Sequence, residues 1–355
     1  MITEGGRFSQ YQVGSVYFGG GTPTVMRPAA LDGIVRELQN SIPHASDCEL
    51  AIESSPSRAT PVQLKQLREI GFRRISFGVQ SFVDEELAVI GRHHTAADAI
   101  QSIADAHAAG FQNVNVDLIY GLGGQTLRDW EKSLAVAVGQ RPETVTVYPL
   151  TFRSRTAFGK SFKISADGFP SPAERHEQYE LARNFLVAKG YRQLTMVAFA
   201  GETGGNLHEQ NEFLGVPTVG FGAGALSYGP NYHYTSGHYH DSTPNAISIS
   251  QYETRVRSGE PPIEAGIYLD LDEQMRRHLV MRLPSVGVTS DDFANRFGVR
   301  PEMRYGDLLR VLRDHDLVDI GANHIRLTAL GVRSSSLVAD ILASERVRTA
   351  AASYG

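Results

Sequence analysis

The chain has 355 residues, of which 41% are hydrophobic and 21% charged, and its formal net charge is −5. This length allows one large domain and a smaller one, and the composition is typical of a soluble globular protein. Because no basic stripe or tail is present and no apolar run approaches the ~20 residues of a membrane helix, we expect neither a nucleic-acid partner nor a membrane. A single cysteine cannot form an internal disulfide, which fits a cytoplasmic location.

The first half of the chain alternates short apolar runs with helix-like patterns. Such alternation from residue 15 to 150 predicts βα units around a parallel sheet. The predicted strands are Ser15–Phe18, Glu49–Glu53, Arg74–Phe77, Asn113–Leu118 and Thr144–Tyr148, and the predicted helices are Ala29–Asn40, Pro61–Ile70, Ala96–Ala109 and Leu127–Val138. Thr60 and Thr95 are predicted N-caps, and Gly71 and Gly110 mark helix ends.

The second half of the chain lacks the regular alternation of strands and helices that the first half shows. A helix is predicted at Ala173–Lys189 and a strand near Gln193–Val197, and a glycine-rich segment and a loop dense in histidine and tyrosine follow. Two helices and a small hairpin then give the outline of a winged helix: Leu271–Met281, Tyr305–Asp314, and Leu317–Ile320 with His324–Leu327. The predicted domains are a polar N-terminal segment (1–14), an α/β domain with its extension (15–230), linking loops (231–270), a small helical or winged-helix domain (271–345) and a tail (346–355).

A glycine loop directly follows the first predicted strand. Gly19, Gly20 and Gly21 precede Thr22 and Pro23, and adjacent glycines let a ligand approach backbone groups that a side chain would block. A tight strand-to-helix turn is the alternative interpretation. The polar residues at the neighbouring strand ends favour a ligand site.

Those polar residues come at the ends of successive strands. Glu53 ends the second strand, Gln80 lies just past the third, Asp117 sits near the end of the fourth, and Arg92 follows a short helix. The carboxyl ends of parallel strands meet at one edge, so we expect these side chains to surround one mouth. Two acids, an amide and an arginine there suit a zwitterionic nucleoside, since carboxylates bind ribose hydroxyls and an ammonium group and arginine pairs with a carboxylate.

Taken in order, these motifs resemble the radical S-adenosylmethionine (SAM) family of oxygen-independent coproporphyrinogen III oxidases and the related haem chaperones. The resemblance covers the chain from about Ser15 to its end and is carried by FGGGTPT, AIESSP, RRISFGVQSF, IGRHHTAADA, NVNVDLIYGLGGQT and GFGAGALSY. It implies an α/β fold, namely a partial (β/α) radical SAM barrel missing its first strand, with a C-terminal winged-helix-like domain.

The resemblance also implies roles for individual residues. Gly20, Gly21 and Thr22 would meet the amino group and carboxylate of SAM, and the Gly222–Ala225 loop would close the mouth from below. The same pocket or a second SAM site would be lined by Glu53, Gln80, Arg92, Asp117 and Ile119. No catalytic acid or base can be named, because radical chemistry relies mainly on the cofactor.

The implied cofactors are SAM and a 4Fe-4S cluster, whose electron would cleave SAM to a 5′-deoxyadenosyl radical. The implied partners are a small-molecule substrate, either a tetrapyrrole or an aromatic natural product, and a reductant protein such as a flavodoxin or ferredoxin. Oxidative decarboxylation of coproporphyrinogen is the prototype reaction. C-methylation of a natural product is an alternative, and cluster-free binding of SAM or haem, as in a haem chaperone, is another.

Three segments depart from the family pattern. The family has C-x3-C-x2-C after a strand that precedes the glycine loop, and this sequence contains only Cys48, which opens a different strand away from the mouth. The haem chaperones have HNxxYW where this chain has His208–Phe213, without the aromatic pair. The family stretch Glu-Ile-Ser-Asn is replaced by Gln193–Met196, which is similar to SAM-dependent methylases on the same scaffold.

Two interpretations of the missing cysteine motif remain open at this stage. The first is a start codon assigned too late or a truncated gene, with the cluster strand upstream. The second is a cluster-free relative that covers the exposed sheet edge with a partner chain or only binds SAM or a tetrapyrrole. We predict no metal site at the cluster of His233, His238 and His240, because its spacing matches no common zinc pattern, and expect a solvated or substrate-facing loop there.

Overall fold

The computed structural model describes residues 11–151, 168–236 and 245–354. The chain divides into two units, Met1–His208 and Glu209–Gly355. The polar start of the chain as far as residue 10, most of the segment between Arg153 and Pro172, His238 and His240 of the histidine cluster, and Gly355 lie outside the described residues. In the described ranges no helix is both long and apolar enough to span a membrane.

The first unit is built on a parallel sheet, as predicted. Its seven strands follow the order β1-β2-β3-β4-β5-β7-β6, in which β1 to β5 are parallel and β7 and β6 add to β5 in antiparallel fashion. The strands are β1 Val13–Phe18, β2 His44–Ser54, β3 Arg74–Gln80, β4 Asn113–Tyr120, β5 Thr144–Pro149, β6 Arg192–Gln193 and β7 Ala198–Ala200.

Helices connect the parallel strands and begin where the sequence places caps. The Thr60 side chain accepts the backbone N–H of Gln63 in a capping box, and Thr95 does the same for Asp98. Gly71 ends its helix with φ 116°, a left-handed conformation that glycine adopts without steric cost. The helices are α1 Pro28–Ser41, α2 Pro61–Ile70, α3 Asp84–Val89, α4 Ala96–Ala108, α5 Leu127–Gly139, α6 Pro172–Ala188 and α7 Leu207–Phe213, which crosses into the second unit.

Each central strand separates an apolar face from a polar one. In β3 the side chains of Ile75, Phe77 and Val79 are fully buried on one face, whereas Ser76 and Gln80 alternate with them on the other. This period of two is what a strand imposes on its sequence. The polar face of the sheet is where the candidate site lies.

The second unit contains two three-stranded sheets and a winged-helix arrangement. The strands are β8 Ala225–Tyr228, β9 Tyr232–Ser236, β10 Ala265–Tyr268, β11 Val288–Thr289, β12 Val318–Ile320 and β13 His324–Leu327. The strand order is β10-β9-β8 in one sheet and β11-β13-β12 in the other. The helices are α8 Asn245–Ser258, α9 Leu271–Arg282, α10 Ser290–Phe297, α11 Pro301–Asp314, α12 Ala329–Arg333, α13 Ser335–Leu342 and α14 Glu345–Tyr354.

Several predicted boundaries are wrong. The segment 231–270 is predicted as linking loops, but it contains β9, α8 and β10. Its tyrosines and isoleucines are residue types that are common in strands. His233 therefore lies in a strand and not in a loop. The single strand predicted near Gln193–Val197 is replaced by two short strands, β6 Arg192–Gln193 and β7 Ala198–Ala200.

Candidate functional site

A cavity of about 280 Å³ opens on the polar face of the first unit's sheet. Its walls come from residues of β1 to β5, from connections that follow these strands, and from Asn206 just before α7. The lining residues are Tyr17, Gly21, Thr22, Glu53, Ser54, Ser55, Arg74, Ser76, Gly78, Gln80, Arg92, Asn115, Asp117, Thr146, Tyr148 and Asn206.

Glu53 holds the glycine loop in place. Its Oε1 accepts the Tyr17 hydroxyl at 2.7 Å, and its Oε2 accepts the Gly20 backbone N–H at 3.1 Å. Gly20 and Gly21 have φ of 80° and 76°, which L side chains rarely adopt. A Cβ on Gly19 would lie 2.7 Å from the Tyr17 ring and 2.9 Å from Glu53 Oε1. The glycines are therefore required by this loop geometry.

Asp117 is fixed by a chain of hydrogen bonds across three strands. Ser76 Oγ donates to Asp117 Oδ2 at 2.8 Å, and Asn115 Nδ2 donates to Asp117 Oδ1 and to Ser76 Oγ, both at 2.7 Å. Thr146 Oγ1 in turn donates to Asn115 Oδ1 at 3.0 Å. A network of this kind pre-orients the carboxylate toward the cavity.

The carboxylates of the cavity favour a positively charged ligand. Burial raises the pKa of Asp117, although its hydrogen bonds and the nearby Arg74 charge act in the opposite direction. Burial also raises the pKa of Glu53, and the negative charge of Asp117 adds to that increase. Burial and the two carboxylates raise the pKa of Tyr17, which stays a neutral donor. A cation between these groups would relieve both effects.

Arg92 supplies the opposite charge at the cavity wall. It follows the end of α3, where its backbone N–H bonds to the Leu87 carbonyl at 2.9 Å and Gly91 adopts φ 68°. Burial lowers the pKa of its guanidinium, and among the described residues this group has no hydrogen-bond or ion-pair partner. Arg92 is therefore available to pair with a ligand carboxylate.

Gln80 reaches the cavity through an unusual backbone conformation. Its φ is 71°, and the pairing of β3 with β4 shifts register between Gly78 and Gln80. A Cβ on Gly78 would lie 2.8 Å from Gln80 Nε2, so the absence of a side chain at residue 78 makes room for the amide. The His94 ring bonds to the Val79 carbonyl at 3.0 Å and stabilises this turn.

The structure brings most of the predicted site residues together. The cavity is lined by Gly21, Thr22, Glu53, Gln80, Arg92 and Asp117, while Gly20 contributes its N–H to Glu53. Ile119 is not among the lining residues; its carbonyl accepts the Gln125 amide at 3.2 Å.

Several lining residues were missed by motif reasoning. They share the polar face of the strands, and the alternation of Asn113, Asn115 and Asp117 in β4 was the available signal. The most distinctive is Arg74, which is 2% exposed: its Nε donates weakly to the Gly205 carbonyl at 3.4 Å, and its Nη1 has no partner in the described structure.

His208 and Cys48, considered as metal or haem ligands, occupy other environments. The His208 ring stacks on Tyr17 with centroids 4.9 Å apart, and burial together with the Arg74 charge lowers its pKa, so it is neutral near pH 7. Burial raises the pKa of the half-buried Cys48 thiol to about 11. The described residues contain no group of three potential metal ligands, and one cysteine cannot supply three thiolates, so this set does not fit a 4Fe-4S cluster.

Comparison with known proteins finds one matching family model and several similar proteins. Residues 2–137 match the Radical SAM superfamily. The heme chaperone HemW of Bacillus subtilis is 28% identical over 93% of this chain and 86% of its own length. The oxygen-independent coproporphyrinogen III oxidase of Pseudomonas aeruginosa is 27% identical over 92% of this chain and 74% of its own.

Among solved structures, coproporphyrinogen III oxidase (HemN) from Escherichia coli superposes with a TM-score of 0.81 at 22% identity, over 96% of this chain and 80% of that one. At this identity the likeness shows a common fold. Residues 2–137 are thus similar to the Radical SAM superfamily, and the chain is similar along most of its length to HemW and to oxygen-independent coproporphyrinogen III oxidase.

Proposed function

We propose that the first unit binds SAM in the cavity described above. The observation that carries this proposal is the presence in one cavity of two partly buried acids, Glu53 and Asp117, and of Arg92, which is unpaired within the described residues. SAM combines an ammonium, a sulfonium, a carboxylate and ribose hydroxyls. The acids would bind the ammonium or the hydroxyls, and Arg92 would bind the carboxylate.

The chain's own residues would also orient the ligand. Gly21 and Thr22 expose backbone groups at the mouth, and the hydrogen bonds of Glu53 to Tyr17 and Gly20 keep one carboxylate in a fixed position. Bound SAM would supply the reactive group for radical chemistry. A 4Fe-4S cluster and a reductant such as a flavodoxin or ferredoxin belong to the same proposal, but no step through the cluster follows from the residues present.

For the reaction, we infer a coproporphyrinogen-oxidase-like conversion of a tetrapyrrole or related substrate. The similarity to the Pseudomonas enzyme over 92% of this chain supports this inference. The methyltransferase alternative and the cytoplasmic location stay predictions.

A second candidate is tetrapyrrole binding without turnover. It is favoured by the similarity to the Bacillus protein named a heme chaperone, which covers 93% of this chain. His208 is the histidine in the corresponding segment, and its low pKa leaves an imidazole nitrogen unprotonated near neutral pH.

Calorimetric titration of the full chain with SAM tests the proposed site. We expect Arg92→Ala and Asp117→Ala each to weaken SAM binding about 10-fold or more, because each removes a charge-assisted contact worth roughly 1.5–3 kcal/mol. Arg36→Ala is the matched control, since Arg36 is exposed on α1 and pairs only with Asp32 at 2.9 Å.

Unchanged affinity in both cavity variants would refute the assignment of the pocket. A parallel titration with haem distinguishes the two candidates. Tight SAM binding with no haem binding supports the enzyme, and the reverse supports the chaperone-like function.

A further inference from the structure

A second, smaller cleft lies within the second unit, and no part of the proposed function uses it. It is formed by residues of α9 from Gln274 to Arg282, by Arg296 of α10 and by the residues that follow α7. The lining residues are Leu214, Gly215, Gln274, Arg277, His278, Met281, Arg282 and Arg296. Four of the eight are basic and none is acidic.

The arginines of this cleft have no carboxylate partner in the described part of the chain. Arg277 donates only to neutral groups, namely the carbonyls of Gly229 and Pro230 and the His233 ring. Arg296 lies over the Phe297 ring at 5.3 Å, and the Arg282 guanidinium makes no hydrogen bond. Arginines elsewhere in this unit do pair with acids, as in Arg276 with Asp272, Arg300 with Asp291 and Arg310 with Asp307.

Two buried nitrogen atoms in the cleft are left without a partner. His278 is only 9% exposed, and its Nε2 forms no hydrogen bond with any described residue. Its ring is held edge-on by Phe293 at 5.5 Å and Phe297 at 5.4 Å. The Nε atom of Arg282 is likewise buried and unpartnered. Buried polar atoms without partners cost roughly 1–3 kcal/mol each, so a hydrogen-bond acceptor bound next to these two nitrogen atoms would stabilise the folded chain.

The positive charges of the cleft act on one another. Burial and then the charges of Arg282, Arg296 and Arg277 lower the pKa of His278 to about 4. Burial and Arg296 also lower the pKa of Arg277. Glu212 precedes the cleft residue Leu214 by two positions, and burial raises its pKa. Among the described residues Glu212 forms no ion pair with an arginine of the cleft.

We propose that this cleft is an anion site that binds a small oxyanion group, a carboxylate or a phosphate. The arginines would pair with the charge, and His278 Nε2–H and Arg282 Nε–H would donate to one oxygen. The enclosed space is about 10 Å³. A space near 10–15 Å³ admits about one water-sized group, so one oxygen would enter while the remainder of the ligand stays outside. This site is independent of the SAM proposal.

Nuclear magnetic resonance of the histidine-labelled full chain tests the proposal. Inorganic phosphate and acetate are titrated separately at constant ionic strength, and the His278 signal is assigned with His278→Gln. We expect a saturable shift of this signal, and a half-saturation concentration at least 10-fold higher in Arg282→Gln and in Arg296→Gln. The anion with the lower half-saturation concentration identifies the class of group that the site prefers.

Arg310→Gln is the matched control, because Arg310 is an exposed arginine of the same unit that pairs with Asp307 at 2.9 Å. Far-UV circular dichroism verifies that each variant is folded. The proposal is overturned if neither anion produces a saturable shift, or if the shift in both arginine variants saturates at the same concentration as in the parent chain.

Discussion

The interior of the parallel sheet and the core of the winged-helix module use opposite kinds of side chain. The sheet encloses a cavity lined by Ser76, Asn115, Asp117 and Thr146, with the buried Arg74 among them. The module core is closed and apolar, and includes Met275, Leu279, Leu283, Val288, Phe293, Leu309, Leu312 and Ile325. Burying polar groups costs free energy unless they are paired, and although Ser76, Asn115, Asp117 and Thr146 bond to one another, Arg74 Nη1 has no partner in the described structure.

The same contrast exists inside a single strand. In β3 the fully buried Ile75, Phe77 and Val79 stabilise the fold, whereas Ser76 and Gln80 line the cavity. Stability and ligand chemistry are thus separated by the side of the strand that a residue occupies. Substitutions in the two kinds of interior should therefore have different consequences.

The largest expected effect lies in the closed core. Phe293 is 0% exposed and packs against Phe297 at 4.7 Å and His278 at 5.5 Å. We expect Phe293→Ala to lower the free energy of unfolding by about 3–5 kcal/mol, because it leaves a cavity in an apolar core. Urea unfolding followed by far-UV circular dichroism measures this loss.

Met303→Ala is the control in the same module, since Met303 is 79% exposed. Its effect should be within about 0.5 kcal/mol. A loss of similar size in both variants would show that the packing of this core does not determine the module's stability.

An intermediate effect is expected at the glycine loop. In Gly19→Ala the new methyl group would meet Tyr17 and Glu53, which are held together by their hydrogen bond. We expect a stability loss of about 1–3 kcal/mol from overpacking. We also expect SAM affinity to fall, since Glu53 must move. Fluorescence of Trp130, the only tryptophan and a buried residue of the first unit, follows unfolding, and calorimetry follows binding.

Gly33→Ala provides the matched comparison, because Gly33 lies in α1 and a Cβ added there would have no atom within 4 Å. Alanine is the better helix former by up to about 1 kcal/mol, so this variant should be as stable as the parent or more so. Equal behaviour of the two variants would contradict the close approach inferred at Gly19.

The smallest expected effect is a change in pH dependence. Burial raises the pKa of Asp117 above its ordinary value of 3.8, so the folded chain holds a proton that the unfolded chain has released. The contribution of the protonated Asp117 carboxyl to the free energy of unfolding is therefore full below pH 3.8 and is lost as pH rises through the raised pKa. In Asp117→Asn no proton is released, so this pH-dependent loss of stability does not occur.

We accordingly expect the stability of Asp117→Asn relative to the parent to increase between pH 4 and pH 7, by about 1.4 kcal/mol for each pKa unit of the shift. Urea unfolding monitored by Trp130 fluorescence measures it, and Asp32→Asn on the exposed side of α1 is the control. A constant difference across this range, or a decreasing one, would contradict burial as the cause.

The local elements could be predicted because their signals are local. The N-caps at Thr60 and Thr95 and the helix end at Gly71 depend on residues close together in the sequence, and all three are confirmed. The segment 231–270 could not be predicted in the same way. Strand β9 pairs with β8 and also with β10, whose residues lie 30 to 36 positions further along the chain, and such distant pairing leaves little trace in either segment alone.

The candidate site likewise combines features that follow from local sequence with features that depend on tertiary packing. Between residues 15 and 150 the sequence by itself determined the order of the parallel strands and their connecting helices, the glycine loop and the acids and arginine at successive strand ends, since these depend on local pattern and on the polarity of parallel sheets. Only the tertiary structure decided that Arg74, Ser76 and Thr146 share the cavity with Asp117, and that Ile119 does not line it. The reason is physical: which face of a strand encloses space, and how far that space extends, is set by packing between segments distant in the chain.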